Sequence, residues 1–476
     1  MSRARLAVGI CLTLALGGCL VGPDYVRPPI DPPELWREPT ETTSSLADLA
    51  WWQYFDDPVL VDLIRVALTD SRDARVAAAR VQQARAQLVI TNAARFPQVD
   101  NNASYSNQRL SAVTFPPSFG PIPTRFLEGE ILRTTLDLSF ELDFWGRVRR
   151  ASEAARADLL STAEAQHTVL MTLVADVAIN YFSLLQLDAE FEVARRTVRS
   201  RAETLRILRL RAAEGIGSEL EVRRAEGELA AAGRVVPDIE RQIRQTENAI
   251  SVLLGRFPGP IPRGRTLTAS PVPLDVPAGL PSELLVRRPD IRQAEQDLIA
   301  ANARIGQAKA LYFPQIQLTG SFGVESRELA LLFTGPARVW NFGPSITFPI
   351  FNAGRVAAGV HFAEAARDEA LARYQQVIQS AFREVNDALI AHRKNREEVV
   401  QDERQVTAYR EVARLTRLRY FAGVGTQFEV LDAERQLLDA EITTTRTIAD
   451  QLITLVQLYK ALGGGWSGPP VTSPSR

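Results

Sequence analysis

Two stretches of sequence decide the fold: RILRLRAAEGIGSELEVRRAEGEL at 206–229 and RLTRLRYFAGVGTQFEVLDAERQL at 414–437. They lie 208 residues apart, align without a gap and are identical at 11 of 24 positions. In both, a helical pattern stops at Gly-x-Gly and resumes after Ser or Thr. Gly is favoured just past the end of a helix, and Ser or Thr at the cap of the next helix. Each stretch therefore predicts the turn of an antiparallel helical hairpin.

The duplication continues on the N-terminal side of these turns. Gly146-Arg147-Val148 recurs as Gly354-Arg355-Val356, again 208 residues on, and Arg95-Phe96-Pro97-Gln98 corresponds to Tyr312-Phe313-Pro314-Gln315. This period is far above the roughly 20 to 50 residues of solenoid repeats. The chain of 476 residues is therefore predicted to contain two copies of one half-molecule. The first repeat is placed at 57–255 and the second at 289–462.

A very long helix is predicted before each turn. Residues 147–213 contain neither Pro nor Gly, and the counterpart at 355–422 contains only Gly359. Apolar residues of the first recur at alternating steps of four and three: Leu170, Val174, Val177, Tyr181 and Leu184. That spacing is typical of a coiled-coil seam. Because charged residues occupy the other faces, neither helix is expected to cross a membrane.

The helices that return from the turns are predicted at 219–254 and 427–462. Ser218 with Glu221, and Thr426 with Glu429, have the spacing of a capping box. Pro237 is expected to kink or interrupt the first return helix. Shorter helices are predicted before each Phe-Pro, at 72–95 and 290–311.

Between the helical segments the apolar residues alternate, which is the pattern of a half-buried strand. The alternation has no fault at 136–144, recurs at 316–322 and 342–350, and is weaker after Val99. A tilted strand needs about ten residues to cross a membrane. Four strands of about this length are predicted at 98–109, 134–145, 315–326 and 341–351.

The alternation has two interpretations. A soluble sheet with one buried face alternates in the same way. Here one face is aromatic and aliphatic, and the other carries Asp137, Glu141 and Asp143, which fits lipid outside and water inside. Four strands do not close a barrel, and open edges are costly in lipid. If the sheet crosses a membrane, several chains must therefore share one barrel, and three chains give 12 strands.

The first twenty residues contain a targeting signal. Arg3 and Arg5 precede an apolar run at 6–16, which is followed by Leu16-Gly17-Gly18-Cys19. This order predicts a signal peptide at 1–18. Leu-Gly-Gly-Cys resembles a bacterial lipobox, which implies that Cys19 is acylated and begins the mature chain. Leu20, in place of Asp, resembles lipoproteins sorted to the outer membrane. The alternative is an ordinary signal peptide followed by a chance Cys.

Three other segments are predicted to be irregular: an extended N-terminal segment at 19–56, a Pro-rich connector at 256–288 and a flexible tail at 463–476.

Composition excludes several functions. A formal net charge of -1 argues against binding to nucleic acid, which needs an excess of positive charge. Three His residues, and Cys19 as the only mature Cys, leave little for a metal site or a disulfide.

No enzyme activity and no catalytic residues are expected. The sequence lacks a phosphate-binding loop, an HExxH zinc helix and a dinucleotide fingerprint. The only expected cofactor is a covalent lipid on Cys19. Met occurs only at 1 and 171, which argues against a copper or silver conduit lined with thioethers.

The motifs in this order resemble the outer-membrane factors of the TolC/OprM type, and best their NodT-like lipoprotein branch. Beside the lipobox and the Phe-Pro-Gln pairs, the resemblance rests on these motifs: Phe144-Trp145-Gly146-Arg147, Phe351-Asn352-Ala353-Gly354-Arg355, Val424-Gly425-Thr426 and Val430-Leu431-Asp432-Ala433. It covers essentially the whole mature chain. It implies a mostly α protein with membrane β: a homotrimer whose 12-strand barrel continues into a long periplasmic helical barrel.

The same resemblance implies the function. Such a channel sits lipid-anchored in the outer membrane and docks to a periplasmic adaptor (a membrane fusion protein) and an inner-membrane pump of the RND type. It passively conducts drugs or other toxic small molecules to the exterior. The alternative within the family is an exit duct for ABC-driven type I protein secretion. A periplasmic coiled-coil adaptor is a rival outside the family, but it needs neither four strands nor a duplicated hairpin.

By resemblance, the channel gate lies on the helix that follows the second turn. Phe428 and Asp432 match an apolar ring and an acidic ring, and their spacing of four places them on one helix face. Three carboxylates in a ring are expected to prefer cations, and Glu429 lies beside them. The alternatives are a hairpin core contact for Phe428, an ion pair for Asp432 and a capping role for Glu429.

The adaptor contact is assigned by resemblance to the hairpin tips. The candidate residues are Gly215, Ile216, Gly217, Ser218, Gly423, Val424, Gly425 and Thr426. Leu220 and Arg224 occupy the positions of Phe428 and Asp432 in the first hairpin, so the halves are not equivalent. Arg224 is one candidate partner for Asp432. A cluster of Arg residues near the tips is either a solvated basic face or a further adaptor contact: Arg206, Arg209, Arg211, Arg414, Arg417 and Arg419.

Overall fold

The structure is a computed structural model that describes residues 20–38, 57–109, 111, 128–269 and 277–464. The predicted signal peptide and Cys19 lie outside the described residues, as do parts of the predicted N-terminal segment, connector and tail. Within the described part, the chain is mostly helical and contains one four-stranded sheet. This combination confirms the predicted mixture of long helices and strands.

Two helices precede the sheet, α1 at Pro58–Asp70 and α2 at Arg72–Ala93. The Asp57 side chain accepts hydrogen bonds from two amides in the first turn of α1, and Pro58 occupies the first helical position. Pro is favoured there because its missing N–H would have had no helical partner. One face of α1 is buried by Leu60, Leu63, Ile64 and Ala67.

The four strands form one antiparallel sheet in the order β1-β2-β3-β4. Their bounds are Gln98–Arg109 for β1, Glu128–Leu142 for β2, Gln315–Ser326 for β3 and Arg338–Thr347 for β4. Within the described residues, β1 and β4 each pair on one side only. The sheet therefore has two open edges.

The register separates an apolar from a polar face. Leu136 lies opposite Phe322, which lies opposite Trp340, and the three side chains are 52%, 62% and 76% exposed. On the other face Asp137 lies opposite Ser321, and Asn102 donates a hydrogen bond to Asp137. Large apolar side chains are thus exposed in rows on one face.

β2 differs from its predicted range of 134–145 at both ends. It begins at Glu128 and ends at Leu142. Asp143, expected to continue the polar face of the strand, instead accepts hydrogen bonds from the amides of Val148 at 3.0 Å and Arg149 at 2.9 Å. These amides belong to the first turn of the next helix and have no helical acceptor. Capping therefore overrides the alternating pattern at this position.

β4 spans Arg338–Thr347 rather than the predicted 341–351. The alternation continues through Phe348 and Ile350, but Pro349 has no N–H for the ladder and restricts the residue before it. Pro344 is nevertheless accommodated within the strand, opposite Leu318.

The first hairpin consists of α3 at Arg147–Ala213 and α4 at Glu219–Leu253. Four of the five predicted seam residues of α3 are buried: Val174, Val177, Tyr181 and Leu184. An 18-residue window of α3 has a mean hydropathy of 1.7 and is 56% buried, which is consistent with this seam. Pro237 does not interrupt α4, which continues through it.

The second repeat contains the matching helices α6 at Pro289–Ala310, α7 at Arg355–Phe421 and α8 at Gln427–Ala461. A further helix, α5 at Pro281–Arg287, lies within the connector predicted to be irregular at 256–288, so that prediction is wrong for these residues. α8 buries more residues than α4, including Leu452, Leu455 and Leu458. The repeats therefore share a plan but bury their return helices to different extents.

The chain forms two compact units, and each takes residues from both repeats. Unit 1 contains the sheet and comprises Met1–Pro28, Gln82–Thr162 and Ala294–Tyr374. Unit 2 contains both hairpin turns and comprises Pro29–Val81, Ala163–Gln293 and Gln375–Arg476.

A buried hydrogen-bonded cluster in unit 2 connects α1, α3 and the connector. The Tyr181 hydroxyl donates to Asp57 Oδ2 at 2.9 Å and accepts from the Gly264 amide at 2.8 Å. The Arg265 amide donates to the same carboxylate at 3.2 Å. Burial raises the pKa of Tyr181, so the hydroxyl keeps the proton that it donates. Asp57 therefore joins three segments as well as capping α1.

Replacing Asp57 with Ala should lower the temperature at which the chain loses its helical circular dichroism. The substitution removes the cap, at a cost of about 1 kcal/mol, and leaves the buried Tyr181 hydroxyl without its acceptor, at a further cost of about 1–3 kcal/mol. Asp57→Asn keeps a capping acceptor and should lose less. Equal midpoints for Asp57→Ala and the unsubstituted protein would contradict the proposed role of Asp57.

Candidate functional site

Both hairpin turns close with the same pair of backbone hydrogen bonds. In the first, the Ile216 amide donates to the Arg211 carbonyl at 2.9 Å and the Gly215 amide to the Ala212 carbonyl at 3.1 Å. In the second, the equivalent residues form the same bonds at 3.0 and 3.1 Å. This is a Schellman motif, which satisfies carbonyls that the helix end leaves without a partner. The turns are therefore built by local sequence.

The Gly residues of the turns are favoured for two different reasons. Gly215 and Gly423 have φ of 72° and 76°, a left-handed conformation that side chains with a Cβ disfavour. Gly217 and Gly425 lie close to the end of the preceding helix, where a Cβ on them would make tight contacts, 3.0 Å from the Ala212 nitrogen and 3.1 Å from the Arg419 Cβ.

The caps of the return helices differ between the hairpins. At the first turn, Ser218 and Glu221 form the predicted capping box, with the Ser218 amide donating to Glu221 at 3.2 Å. At the second, Thr426 accepts from the Glu429 amide at 3.3 Å, but the return bond to the Glu429 carboxylate is not formed. The predicted second capping box is therefore only half present, and the Glu429 carboxylate is not engaged in capping.

Apolar side chains are exposed at both tips. Ile216 is 71% exposed and Val424 67% exposed. The tips lie side by side, because Gln427 Nε2 donates to the Glu221 carbonyl at 3.1 Å. Exposed apolar groups that cluster on a surface are typical of interaction sites. Each turn therefore exposes one large apolar side chain at the end of its hairpin.

Phe428 and Asp432 lie on one face of α8 and line a shallow groove shared with α4. Phe428 is 65% exposed, so within one chain it is not a core contact. Asp432 accepts hydrogen bonds from Arg435 at 2.8 Å and from Gln436 at 2.6 Å. The other groove residues are Arg223, Arg224, Gly227, Glu228, Leu431 and Arg435.

Asp432 is therefore paired within its own helix, to Arg435. The hydrogen bond that Arg435 donates to Asp432 raises the pKa of Arg435, so this guanidinium stays charged. Arg224 lines the same groove from α4, but the suggested Arg224–Asp432 bond is not formed. The structure thus brings together an apolar side chain, a carboxylate and several Arg residues on one exposed surface.

The Arg cluster near the tips is mostly engaged in ion pairs that recur in both repeats. Arg209 pairs with Glu226 at 2.8 Å, and the equivalent Arg417 pairs with Glu434. The next pairs, Arg206 with Glu203 and Arg414 with Glu411, repeat in the same way. Arg211 lies over the Tyr420 ring at 5.2 Å. The cluster is therefore partly neutralised by neighbouring carboxylates.

Two carboxylates that sequence reasoning missed join the helices of unit 2. Glu441 pairs with Arg196 of α3 at 2.5 Å and with Arg410 of α7 at 2.9 Å. Glu434 is nearly buried, with a side chain 8% exposed beside Arg417. The signal for Glu434 was present in the sequence, because the Arg and the Glu of this pair recur together 208 residues apart. No such signal marks Glu441, whose partners come from two other helices.

The comparison with protein families defines the class of protein. A model described as "Outer membrane efflux protein" matches residues 63–256 and 280–464, one match for each repeat. The chain belongs to this family of transport proteins, and its location is the outer membrane.

Named relatives match along nearly their whole length. The solvent efflux pump outer membrane protein SrpC of Pseudomonas putida is 38% identical, over 95% of this chain and 97% of its own. The cation efflux system protein CusC of Escherichia coli O157:H7 is 35% identical, over 98% of this chain and 100% of its own.

Solved structures match equally well. The outer-membrane channel OprN has a TM-score of 0.85 at 31% identity, covering 94% of this chain and 100% of its own. The open state of the MtrE outer membrane channel of Neisseria gonorrhoeae has a TM-score of 0.84 at 34% identity, covering 95% and 100%. The described fold is thus that of outer-membrane channels.

Replacing Gly423 with Ala should destabilise the second hairpin tip by about 1–2 kcal/mol, because Ala at φ of 76° is strained. Gly227 provides a matched control in α4, where a Cβ would meet nothing within 4 Å. Gly227→Ala should stabilise its helix by up to about 1 kcal/mol. Amide hydrogen exchange at the tips measures both effects, and faster exchange in Gly227→Ala would contradict this account.

Proposed function

We propose that three copies of this chain close one barrel of 12 strands. The observation that carries the proposal is the pair of open edges at β1 and β4 within the described residues. Strand directions alternate across the sheet, so β4 of one copy can pair antiparallel with β1 of the next. Closure with rotational symmetry then satisfies the edge groups, which would otherwise be costly in lipid.

The two faces of the sheet support the orientation of this barrel. The exposed apolar row of Leu136, Phe322 and Trp340 would face lipid. The opposite face would line water, with Arg133 and Glu325 in an ion pair at 3.5 Å. A transmembrane barrel alternates in this way along each strand.

The long helices would extend the channel into the periplasm. α3 begins just after β2 and ends at the first hairpin turn, and α7 runs in the same way to the second. Three copies would supply 12 long hairpin helices around a tunnel. Acylation at Cys19, which lies outside the described residues, would add a lipid anchor in the outer membrane.

The protein then acts as the outer-membrane exit channel of a tripartite efflux system. The exposed apolar tips at Ile216 and Val424 would contact a periplasmic adaptor, which connects the channel to an inner-membrane pump of the RND type. Transport through the channel itself is passive.

The cargo proposed is toxic small organic molecules. Relatives at 38% identity are named for solvent and toluene efflux, although others are named for cation efflux. Met171 is 3% exposed, so this residue would not offer a soft ligand to a passing copper or silver ion. The chemistry of this chain therefore fits organic cargo better than soft metal ions.

The gate is proposed at Phe428, Glu429 and Asp432. Phe428 would form the apolar constriction, and three copies of Asp432 would form an acidic ring that prefers cations. In each copy Arg435 holds Asp432 by a bond of 2.8 Å. The Glu429 carboxylate, which does not complete a capping box, would add negative charge one position from Phe428.

Replacing Asp432 with Ala should raise single-channel conductance and weaken cation preference in planar bilayers, because it removes the ring charge and frees Arg435. Asp439→Ala is the matched control, since Asp439 also faces Arg435, at 3.7 Å, but lies two turns further along α8. Recordings that are unchanged in Asp432→Ala, or equally changed in Asp439→Ala, would refute the gate assignment.

The proposed partner can be captured directly. A photo-crosslinking residue at Val424, which is 67% exposed, should trap a periplasmic adaptor in native membranes. The same residue at Val400, which is 46% exposed on α7, serves as the control position. Capture of the adaptor of an RND pump would support the proposed efflux function. Capture of the adaptor of an ABC exporter would instead indicate protein secretion. Capture at Val400 alone would refute docking at the tips.

A further inference from the structure

Arg150, in the first turn of α3, is buried in unit 1 and only 1% exposed. A buried guanidinium is costly unless its donors are satisfied. Most of its partners come from the segment that follows Cys19. Nε donates to the Val21 carbonyl at 3.3 Å, and Nη2 donates to the Gly22 carbonyl at 3.3 Å and to Asp24 at 2.7 Å. Nη1 donates to Glu153 at 2.8 Å.

Residues 20–27, which we term the N-terminal strap, also pack closely against α6. Gly22 has φ of 101°, and a Cβ on it would lie 2.3 Å from the Gly306 Cα. A Cβ on Gly306 would lie 2.7 Å from the Val21 carbonyl oxygen. Two backbones approach this closely only where both residues lack a side chain.

Further hydrogen bonds fix the strap at both ends. The Val21 amide donates to the Trp145 carbonyl at 3.2 Å, and Asn302 Nδ2 donates to the Pro23 carbonyl at 2.9 Å. Glu295 accepts from Tyr25 at 3.2 Å and from Arg27 at 3.0 Å. The strap is thus held along its length by side chains of α3 and α6.

The internal duplication supplies a control for this arrangement. Arg150 corresponds to Ala358 at the offset of 208 that relates α3 to α7. The two Phe-Pro-Gln motifs relate α6 to α2 at an offset of 217. On that alignment Glu295, Asn302 and Gly306 correspond to Ala78, Arg85 and Val89. Val89 is 64% exposed. The other repeat forms the corresponding helices with different residues at these four positions. The helices themselves therefore do not require the strap-binding residues.

We propose that Arg150, Glu295, Asn302 and Gly306 form a latch whose role is to hold the N-terminal strap beside the junction of β2 and α3. Leu20 lies against that junction, since a Cβ on Gly146 would be 2.5 Å from Leu20 Cδ1. A lipid carried by the residue before Leu20 starts next to the end of the sheet. The latch thereby places the lipid anchor and the strands in the same membrane.

The role in anchoring rests on the proposed acylation of Cys19, whereas docking of the strap does not. Two measurements separate them. Fatty-acid labelling of the unsubstituted chain, with Cys19→Ser as the unlabelled control, tests acylation. Spin-label mobility at Val26→Cys tests docking. Val26 is 81% exposed between two residues bonded to Glu295, and an acylated Cys19 has no free thiol to react.

In the full-length protein in membranes, the spin label should show an immobilised component. Arg150→Met and Gly306→Ala should lose it, the first because the carbonyl partners lose their donors and the second because Cβ displaces the strap. Arg156→Met, at an exposed position of α3, and Gly359→Ala, where a Cβ meets nothing within 4 Å, should retain it. Fatty-acid labelling should be unchanged in all four variants.

An immobilised component that persists in both Arg150→Met and Gly306→Ala would overturn the latch, as would a mobile label in the unsubstituted chain. If Arg150→Met does not assemble, Asn302→Ala takes its place in the test beside Gly306→Ala, because it removes one hydrogen bond to the strap. If the unsubstituted chain takes up no fatty acid, an immobilised label in Cys19→Ser/Val26→Cys, where only position 26 can react, would leave docking intact and refute the anchoring role together with the acylation of Cys19.

Discussion

The free edges of β1 and β4 have no partner strand within the described chain, and this is the constraint on which the other features depend. A sheet with an exposed apolar face suits lipid, but lipid offers no hydrogen bonds to an open edge. Four strands are too few to close on themselves. The same sheet whose apolar face suits a membrane therefore leaves two edges of a single chain unpaired, and the proposed association of three copies rests on this backbone chemistry.

Because the chain is duplicated, the same local interactions occur in both hairpins. The Schellman bonds, the paired Gly residues and the ion pairs Arg209–Glu226 and Arg417–Glu434 recur in both hairpins. Where the copies differ, the difference has a specific consequence. Phe428 and Asp432 replace Leu220 and Arg224 at one tip. Where the strap is bound, one copy has Arg150 and Gly306, and the other copy has Ala358 and Val89 at the corresponding positions.

Local sequence rules failed where a second physical demand competed for the same residue. Asp143 fits the alternation of β2, but its carboxylate caps α3, because amides in the first helical turn have no other acceptor. The alternation through Phe348 and Ile350 fits a strand, but Pro349 has no N–H to donate to a ladder, and β4 ends at Thr347. Glu429 has the spacing of a capping box, yet only half of the box forms. For Asp143 and Pro349 a backbone hydrogen-bond requirement decided the outcome, whereas nothing in the structure explains why the second capping box is incomplete.

The sequence by itself determined the duplication, the helical hairpins, the four strands and the family, because these depend on periodicity, turn residues and motif order along the chain. It also determined which residues share the face of α8 that contains Phe428 and Asp432, since helical spacing fixes that. Only the tertiary structure decided the partners of buried charges. Arg150 with the strap, Glu441 with two helices and Asp57 with Tyr181 each join segments distant in the sequence. Such pairs depend on which elements pack together, and no local period encodes that.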